Sequence, residues 1–330
     1  MRCRLLPAPL VAGVLALLLL SACSNILPRS ALPVGVPERV ELSDTPFFAQ
    51  QRYQCGPAAL AMTLGQRGVA VNPEALVAKV YLPGREGSVA PEMIAAARSY
   101  GMLAYELPPS LDALLQELAA GNPVLVLQNL GLSWLPKWHY AVAVGYELER
   151  QQIILRSGVT ERYPLSLALF DRTWQRAKRW GITLLPPGRL PATDGAFNYL
   201  KAAYALEQTQ QLEAALTAYR AGSERWPSSQ PLWLAQANLE YRLGDYPAAE
   251  QSLRTGISHQ PLAAPLWNNL AYPLVMQGCR EVALSAIACA LALAPGESAY
   301  AQSQQEITAM PSAPGASCLP LACPAVATPP

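Results

Sequence analysis

Histidine is almost missing from this chain of 330 residues: there are two, His139 and His259. Charged residues are also sparse at 14%, and phenylalanine occurs four times. Formal charge is +1, and without the first 22 residues, which carry Arg2 and Arg4 and no acid, it is −1. So balanced a chain has no electrostatic footprint for nucleic acid, and that class of partner is excluded. No Cys/His or carboxylate spacing suggests a metal. No glycine-rich loop follows a strand to cradle a nucleotide, and Pro83-Gly84-Arg85-Glu86-Gly87-Ser88 reads as a turn, so no cofactor is expected. Long apolar runs are lacking after residue 22. Apolar residues as such are abundant: hydrophobic content is 52% and mean hydropathy +0.15, which excludes a disordered chain and supplies cores for about two domains.

The first segment reads as an address. Arg2 and Arg4 precede an apolar run over residues 10–20, too short to span a bilayer core, which needs about 20 residues as a helix. Leu20-Ser21-Ala22-Cys23 follows directly and resembles the bacterial lipobox. The resemblance implies a signal peptide over 1–22 and acylation of Cys23, which would become the first mature residue and tie the protein to a membrane. Ser24 after the cysteine resembles lipoproteins sent to the outer membrane, so the expected location is the cell envelope, facing the periplasm. Residues 23–37, with Pro28, Pro33, Gly35 and Pro37, read as a tether.

Seven cysteines are present. Cys3 leaves with the signal and Cys23 is lipidated, so five remain in an oxidising compartment: Cys55, Cys279, Cys289, Cys318 and Cys323. Cys55 is about two hundred residues from the next and is the natural unpaired one. Cys279 and Cys289 are ten helical residues apart, about 15 Å, too far to bridge each other. A bridge between Cys318 and Cys323 and a double staple of the tail onto the last repeat both remain open.

A repeat organises the second half. Pro227, Pro261 and Pro295 are 34 residues apart, and so are Tyr199, Trp233 and Trp267, and Ala215, Ala249 and Ala283. Gly222, Gly256 and Ala290 keep the same interval, as do Gln210, Gly244 and Gly278. This period resembles the tetratricopeptide (TPR) pattern, in which each unit is a helix pair with small residues at the crossing and a proline after the second helix. Three units are expected over 196–296, about the minimum that buries a continuous core, followed by a Pro/Ala-rich tail over 297–330. Such solenoids are binding surfaces. Asn238 and Asn269 fall on the first helices, where this family's peptide groove lies, and can equally be solvated polar positions.

Residues 38–190 mix helical and strand periods. Helices are expected over 55–66, 73–80, 90–99 and 110–119, then strands over 123–128, 138–146, 151–157 and 180–185. Helices first and an antiparallel sheet later predict an α+β domain. Cys55 precedes Gly56-Pro57, and proline favours the first helical turn, so the sulfur sits at a helix N-terminus, where a lowered pKa is expected.

Gln50-Gln51-Arg52-Tyr53-Gln54-Cys55-Gly56-Pro57-Ala58-Ala59-Leu60-Ala61-Met62 resembles the nucleophile segment of papain-like peptidases that process double-glycine leaders of bacteriocins, most closely their free-standing relatives. Trp138-His139-Tyr140-Ala141-Val142-Ala143-Val144-Gly145-Tyr146 resembles the histidine strand of the same family. The likeness implies a papain-like fold, with Cys55 as nucleophile and His139 as its base. Gln50 is implied as the oxyanion donor, with Gln51 as the alternative. The family usually places Asp or Asn on the next strand; the corresponding residue here is Ser157, which can accept a hydrogen bond from imidazole but cannot balance imidazolium charge. Trp134-Leu135-Pro136-Lys137-Trp138 is either pocket wall or core.

The expected architecture is an α+β papain-like cysteine peptidase domain followed by an all-α TPR solenoid. The expected function is an envelope-anchored cysteine peptidase with catalytic residues Cys55, His139, Gln50 and Ser157. Its partners would be a peptide or protein substrate, a protein held by the TPR groove, and the membrane through Cys23. The alternative is a catalytically weak or inactive peptide-binding adaptor, and acyl transfer other than proteolysis uses the same geometry.

Overall fold

A computed structural model describes residues 35–50, 54–311 and 318–324. The signal segment, Cys23, most of the tether and Gln51 lie outside the described residues. Residues 35–184 with 191–195 form one compact unit, and residues 185–190 with 196 onward form another.

The first unit is built on a mixed arrangement of helices and one seven-stranded sheet. Helix α1 (Cys55–Gly65) is its centre: everything from Gly56 to Leu64 is buried, as expected of a helix apolar on all sides. Gly56 and Gly65 are needed there, because a Cβ on the first would strike the Ser88 side chain and one on the second would come within 2.6 Å of the Pro46 ring. Helix α2 (Pro73–Val80) starts where Asn72 Oδ1 accepts from Ala75 N–H at 3.0 Å, with Pro73 in its first turn. Helix α3 (Ala90–Ser99) carries Pro91 in the same role, and α4 (Leu111–Ala119) is capped by Ser110.

The strands are β1 (Arg39–Glu41), β2 (Tyr81–Leu82), β3 (Gly87–Ser88), β4 (Leu103–Glu106), β5 (Val124–Asn129), β6 (Trp138–Glu147), β7 (Gln152–Ser157), β8 (Thr160–Ser166) and β9 (Gly181–Leu185). The main sheet runs β4-β9-β5-β6-β7-β8, with β1 on β6 where β5 has ended. Its centre is the apolar run Val124-Leu125-Val126, fully buried between β9 and β6. Close approach of β1 demands Gly145, since a Cβ there would strike the Val40 carbonyl. Sequence periodicity missed β1, β4, the exposed edge strand β8 and helix α5 (Leu167–Gln175), as well as the small β2–β3 ladder. These are short or too polar to show a clean period, and tertiary pairing makes them.

The second unit is α6 (Ala196–Gln208), α7 (Leu212–Arg225), α8 (Gln230–Arg242), α9 (Tyr246–His259), α10 (Ala264–Met276), α11 (Arg280–Leu293) and α12 (Ser298–Ala309). The period of 34 has a structural counterpart at three positions. Gln210, Gly244 and Gly278 all turn with positive φ, at 61°, 82° and 82°. Gly222 and Gly256 let helices cross closely, for a Cβ on Gly256 would come within 2.9 Å of the Trp233 ring. Trp233 Nε1 donates to Pro227 O at 2.9 Å, and Trp267 Nε1 repeats the bond to Pro261 O at 2.8 Å.

The stretch expected as a Pro/Ala-rich tail opens instead with helix α12, whose Tyr300, Ser303 and Ile307 are buried. Its polar composition hides three inward positions spaced 300, 303 and 307. Beyond it, Cys318 and Cys323 are bonded to Cys279 and Cys289, with Cα separations of 5.7 and 5.6 Å, so residues 318–324 form a strap along α11. Cys55 is the free cysteine of the described residues.

Candidate active site

Cys55 opens α1, and His139 is the second residue of β6. Both line a cavity of 1120 Å³, together with Gln50, Ser88, Tyr140 and Gly158. Sequence positions far apart thus share one opening. Central packing holds the cysteine: the apolar helix behind it fixes its first turn against β6 and the β2–β3 ladder.

His139 is half-buried, and its Nε2 lies 2.8 Å from Ser157 Oγ on β7. With Nε2–H donating to the hydroxyl, Nδ1 is left as the basic nitrogen. The register of β6 and β7 shifts between Ala143 and Gly145, and the adjoining residue Arg156 turns to the other side. There its guanidinium donates to Ser43 O at 3.1 Å and Thr45 O at 2.8 Å. That buried arginine ties the segment leading to Gln50 onto β7.

Gln50 is fixed by three bonds. Its Nε2 donates to Tyr140 O at 3.2 Å, its Oε1 accepts from Gly158 N–H at 3.1 Å, and its own N–H donates to Gly158 O at 2.9 Å. One Nε2 hydrogen remains for another acceptor. Gly158, with φ of 60°, makes the turn that presents its N–H to Gln50. The motif reading missed this brace, although Ser157-Gly158 between two strands is a turn signal. It also took residues 83–88 as a mere connection, whereas Arg85, Glu86, Gly87 and Ser88 line the cavity. From the segment before His139, Lys137 and Trp138 form wall, while Trp134 is 78% exposed.

The charge state differs from the sequence expectation. Burial pushes the Cys55 thiol above its ordinary 9.0, and the N–H groups of Tyr140, Gly56 and Cys55 itself offset this only in part. Helix-terminal donors alone suggested a lowered value; desolvation of the sulfur outweighs them. Burial, and then the Lys137 charge, push His139 below 6.5. Near pH 7 the site holds a neutral thiol and a neutral imidazole. It can transfer a proton from sulfur to Nδ1 during attack on a carbonyl, and return it to a leaving group.

Asn238 and Asn269, in the helical unit, are bonded to each other, Nδ2 of Asn269 donating to Asn238 Oδ1 at 3.0 Å. Asn238 also lines a 500 Å³ groove with exposed Phe197 and Tyr204. No helix of the described residues is long and apolar enough to cross a membrane.

Residues 42–181 match the model of the Peptidase_C39 like family. No curated protein matches the chain. Among solved structures, a protein from Bacillus anthracis described as a C39-like peptidase is similar at 18% identity and a TM-score of 0.39, over 45% of this chain and 98% of that one. YrrB, described as a TPR protein with an unusual peptide-binding site, is similar at 19% identity and a TM-score of 0.30, over 34% of this chain and 58% of that one. The TPR2B domain of yeast Sti1 is similar at 17% identity and a TM-score of 0.32, over 34% and 95%.

Proposed function

We propose that the chain is a cysteine peptidase of the cell envelope, a reading supported by the match of residues 42–181 to the Peptidase_C39 like family and by the 34-residue helical repeat that follows. Cys55 is the nucleophile, and His139 takes the thiol proton as sulfur attacks the scissile carbonyl. The free Nε2 hydrogen of Gln50 and the Cys55 N–H hold the oxyanion. His139 then gives its proton to the leaving amine, and water releases the acyl group from sulfur by the reverse use of the same base. Ser157 acts by holding the imidazole with Nδ1 toward the cavity. The observation that carries this reading is the common opening of Cys55 and His139, with the ring held by Ser157.

The groove lined by Phe197, Tyr204 and Asn238 is the surface that docks a peptide or protein partner. Acylated Cys23 ties the chain to a membrane, with the outer membrane its location. Substitution Cys23→Ser is expected to move the protein from the membrane fraction to the soluble one. Digesting a proteome-derived peptide mixture with wild type, Cys55→Ala and His139→Ala, and sequencing new termini by mass spectrometry, tests the activity. Wild type alone should generate termini. Serine at the place of a carboxylate, with a protonated resting thiol, favours a second reading, an inactive adaptor with the same fold. An absence of new termini from all three proteins would support it.

A further inference from the structure

The cavity that holds Cys55 and His139 continues past Trp138. A second pocket of 450 Å³ opens beside it, and the two share Ala90, Leu127 and Trp138 as wall. Leu107, Ala177 and Trp180 complete an apolar interior. Trp138 is 55% exposed, so much of its indole lacks protein cover.

The far wall is the turn after α5, and it is an unusual one. Lys178 and Arg179 both take left-handed φ, 56° and 51°, a conformation that costs side-chain-bearing residues on the order of 1 kcal/mol each. Two fixtures hold it: Trp174 Nε1 donates to Trp180 O at 2.8 Å, and Arg179 forms a two-bond pair with Asp171 at 2.8 and 3.0 Å. The turn buries Ala177 and leaves Lys178 exposed at the rim. Arg176 is half-buried, with an Nε that is shielded from solvent and has no hydrogen-bond partner among the described residues. Neither Arg176 nor Lys178 has an ion pair among the described residues. Glu106, the acid that lines this pocket, is already engaged.

We propose that this pocket is a substrate subsite for a bulky apolar side chain with an acidic residue beside it. The substrate class is therefore polypeptides carrying an apolar–acidic pair close to the scissile bond, an assignment that rests on Cys55 and His139 being the reacting pair. The indoles of Trp138 and Trp180 bury the apolar side chain. The carboxylate pairs with the Arg176 guanidinium, which has no ion pair among the described residues, and Lys178 adds a second positive charge. A substrate with lysine or arginine at that place is repelled.

Binding can be read without cleavage, which separates this subsite from the activity. The full chain carrying Cys55→Ala is titrated with fluorescein-labelled Gly/Ser octapeptides in which a Trp-Asp, Trp-Lys or Ser-Ser pair is scanned along the sequence, and anisotropy is recorded. Trp-Asp at one position should bind about tenfold more tightly than Trp-Lys or Ser-Ser. Adding Arg176→Glu and Lys178→Glu should invert the choice between Asp and Lys. Adding Ala177→Trp should remove the preference for Trp by filling the pocket. Equal binding of all peptides, or a preference unchanged by the charge reversals, overturns the subsite. A preference that behaves as expected, in a protein whose wild type cleaves nothing, refutes the peptidase reading and leaves the subsite standing.

Discussion

At the scale of single residues, the chemistry turns on what surrounds one sulfur and one imidazole. Because burial raises the Cys55 thiol above 9.0, its alkylation by iodoacetamide should be slow at pH 7 and climb steadily with pH past 9. A preformed thiolate–imidazolium pair would instead give a high plateau across neutral pH, and mass-spectrometric labelling rates distinguish the two. His139, pushed below 6.5, is neutral at pH 7 and gains a proton only in more acid solution. Turnover should thus fall on an acid limb lying below pH 6.5. Ser157 supplies orientation without charge. Ser157→Ala should lower kcat by roughly tenfold, because a positioning contact is lost while nucleophile and base remain. Ser157→Asp should raise kcat and move the acid limb to higher pH, as a carboxylate stabilises imidazolium. An unmoved limb in the aspartate variant would show that residue 157 does not govern the ring. The places of Cys55 and His139 in the fold could be read from their motifs, since Gly56-Pro57 marks a helix start and the alternation after His139 marks a strand. The direction of the thiol shift could not, because it depends on how far the sulfur is buried against the core and β6, which no local pattern encodes.

Secondary-structure elements show the same division. The helices of the second unit are readable because each repeat restates the last: the residue at 210, 244 and 278 must turn left-handed, and the residue at 222 and 256 must be small. Gln210 is the exception that tests the rule, being a side-chain-bearing residue at φ of 61° where its counterparts are glycines. Gln210→Gly should stabilise the protein by about 0.5–1 kcal/mol, relief of left-handed strain being partly offset by added unfolded-state entropy. Gly256→Ala should destabilise by about 1–3 kcal/mol, since its Cβ meets the Trp233 ring at 2.9 Å. Chemical denaturation measures both, and opposite signs are the expected result. Helix α12 escaped the sequence reading, and the double staple of the tail stayed one of two open alternatives, for a different reason. Their order comes from two bridges and from Ile307 and Leu321 packing on the preceding helices, contacts that a Ser/Gln/Pro-rich sequence does not announce. Replacing Cys279 and Cys318 by serine removes a cross-link of 39 residues' separation and should cost about 2–4 kcal/mol, seen as a lower melting temperature. An unchanged melting temperature would show that the strap contributes nothing.

For the molecule as a whole, one chain joins a unit that matches the Peptidase_C39 like family over residues 42–181 to a unit of helices with a 34-residue period, and Leu20-Ser21-Ala22-Cys23 precedes both. The broad architecture could be read early because each domain carries a signal of its own kind, a pair of motifs in the first and a period in the second. The substrate subsite could not, since Ala90, Leu127, Trp138 and Arg176 come from four separate elements or turns that only the fold brings together. All of the proposed chemistry depends on Cys55 receiving an acyl group with the help of His139. The most direct measurement is the release of p-nitrophenol from p-nitrophenyl acetate at pH 7, with the acetyl group mapped on the protein. Wild type should give a burst of about one equivalent with acetyl on Cys55, Cys55→Ala should give none, and His139→Ala should be slower by at least about a hundredfold, the usual contribution of a general base. A burst as fast in His139→Ala as in wild type, or acetylation at another residue, would contradict the pairing.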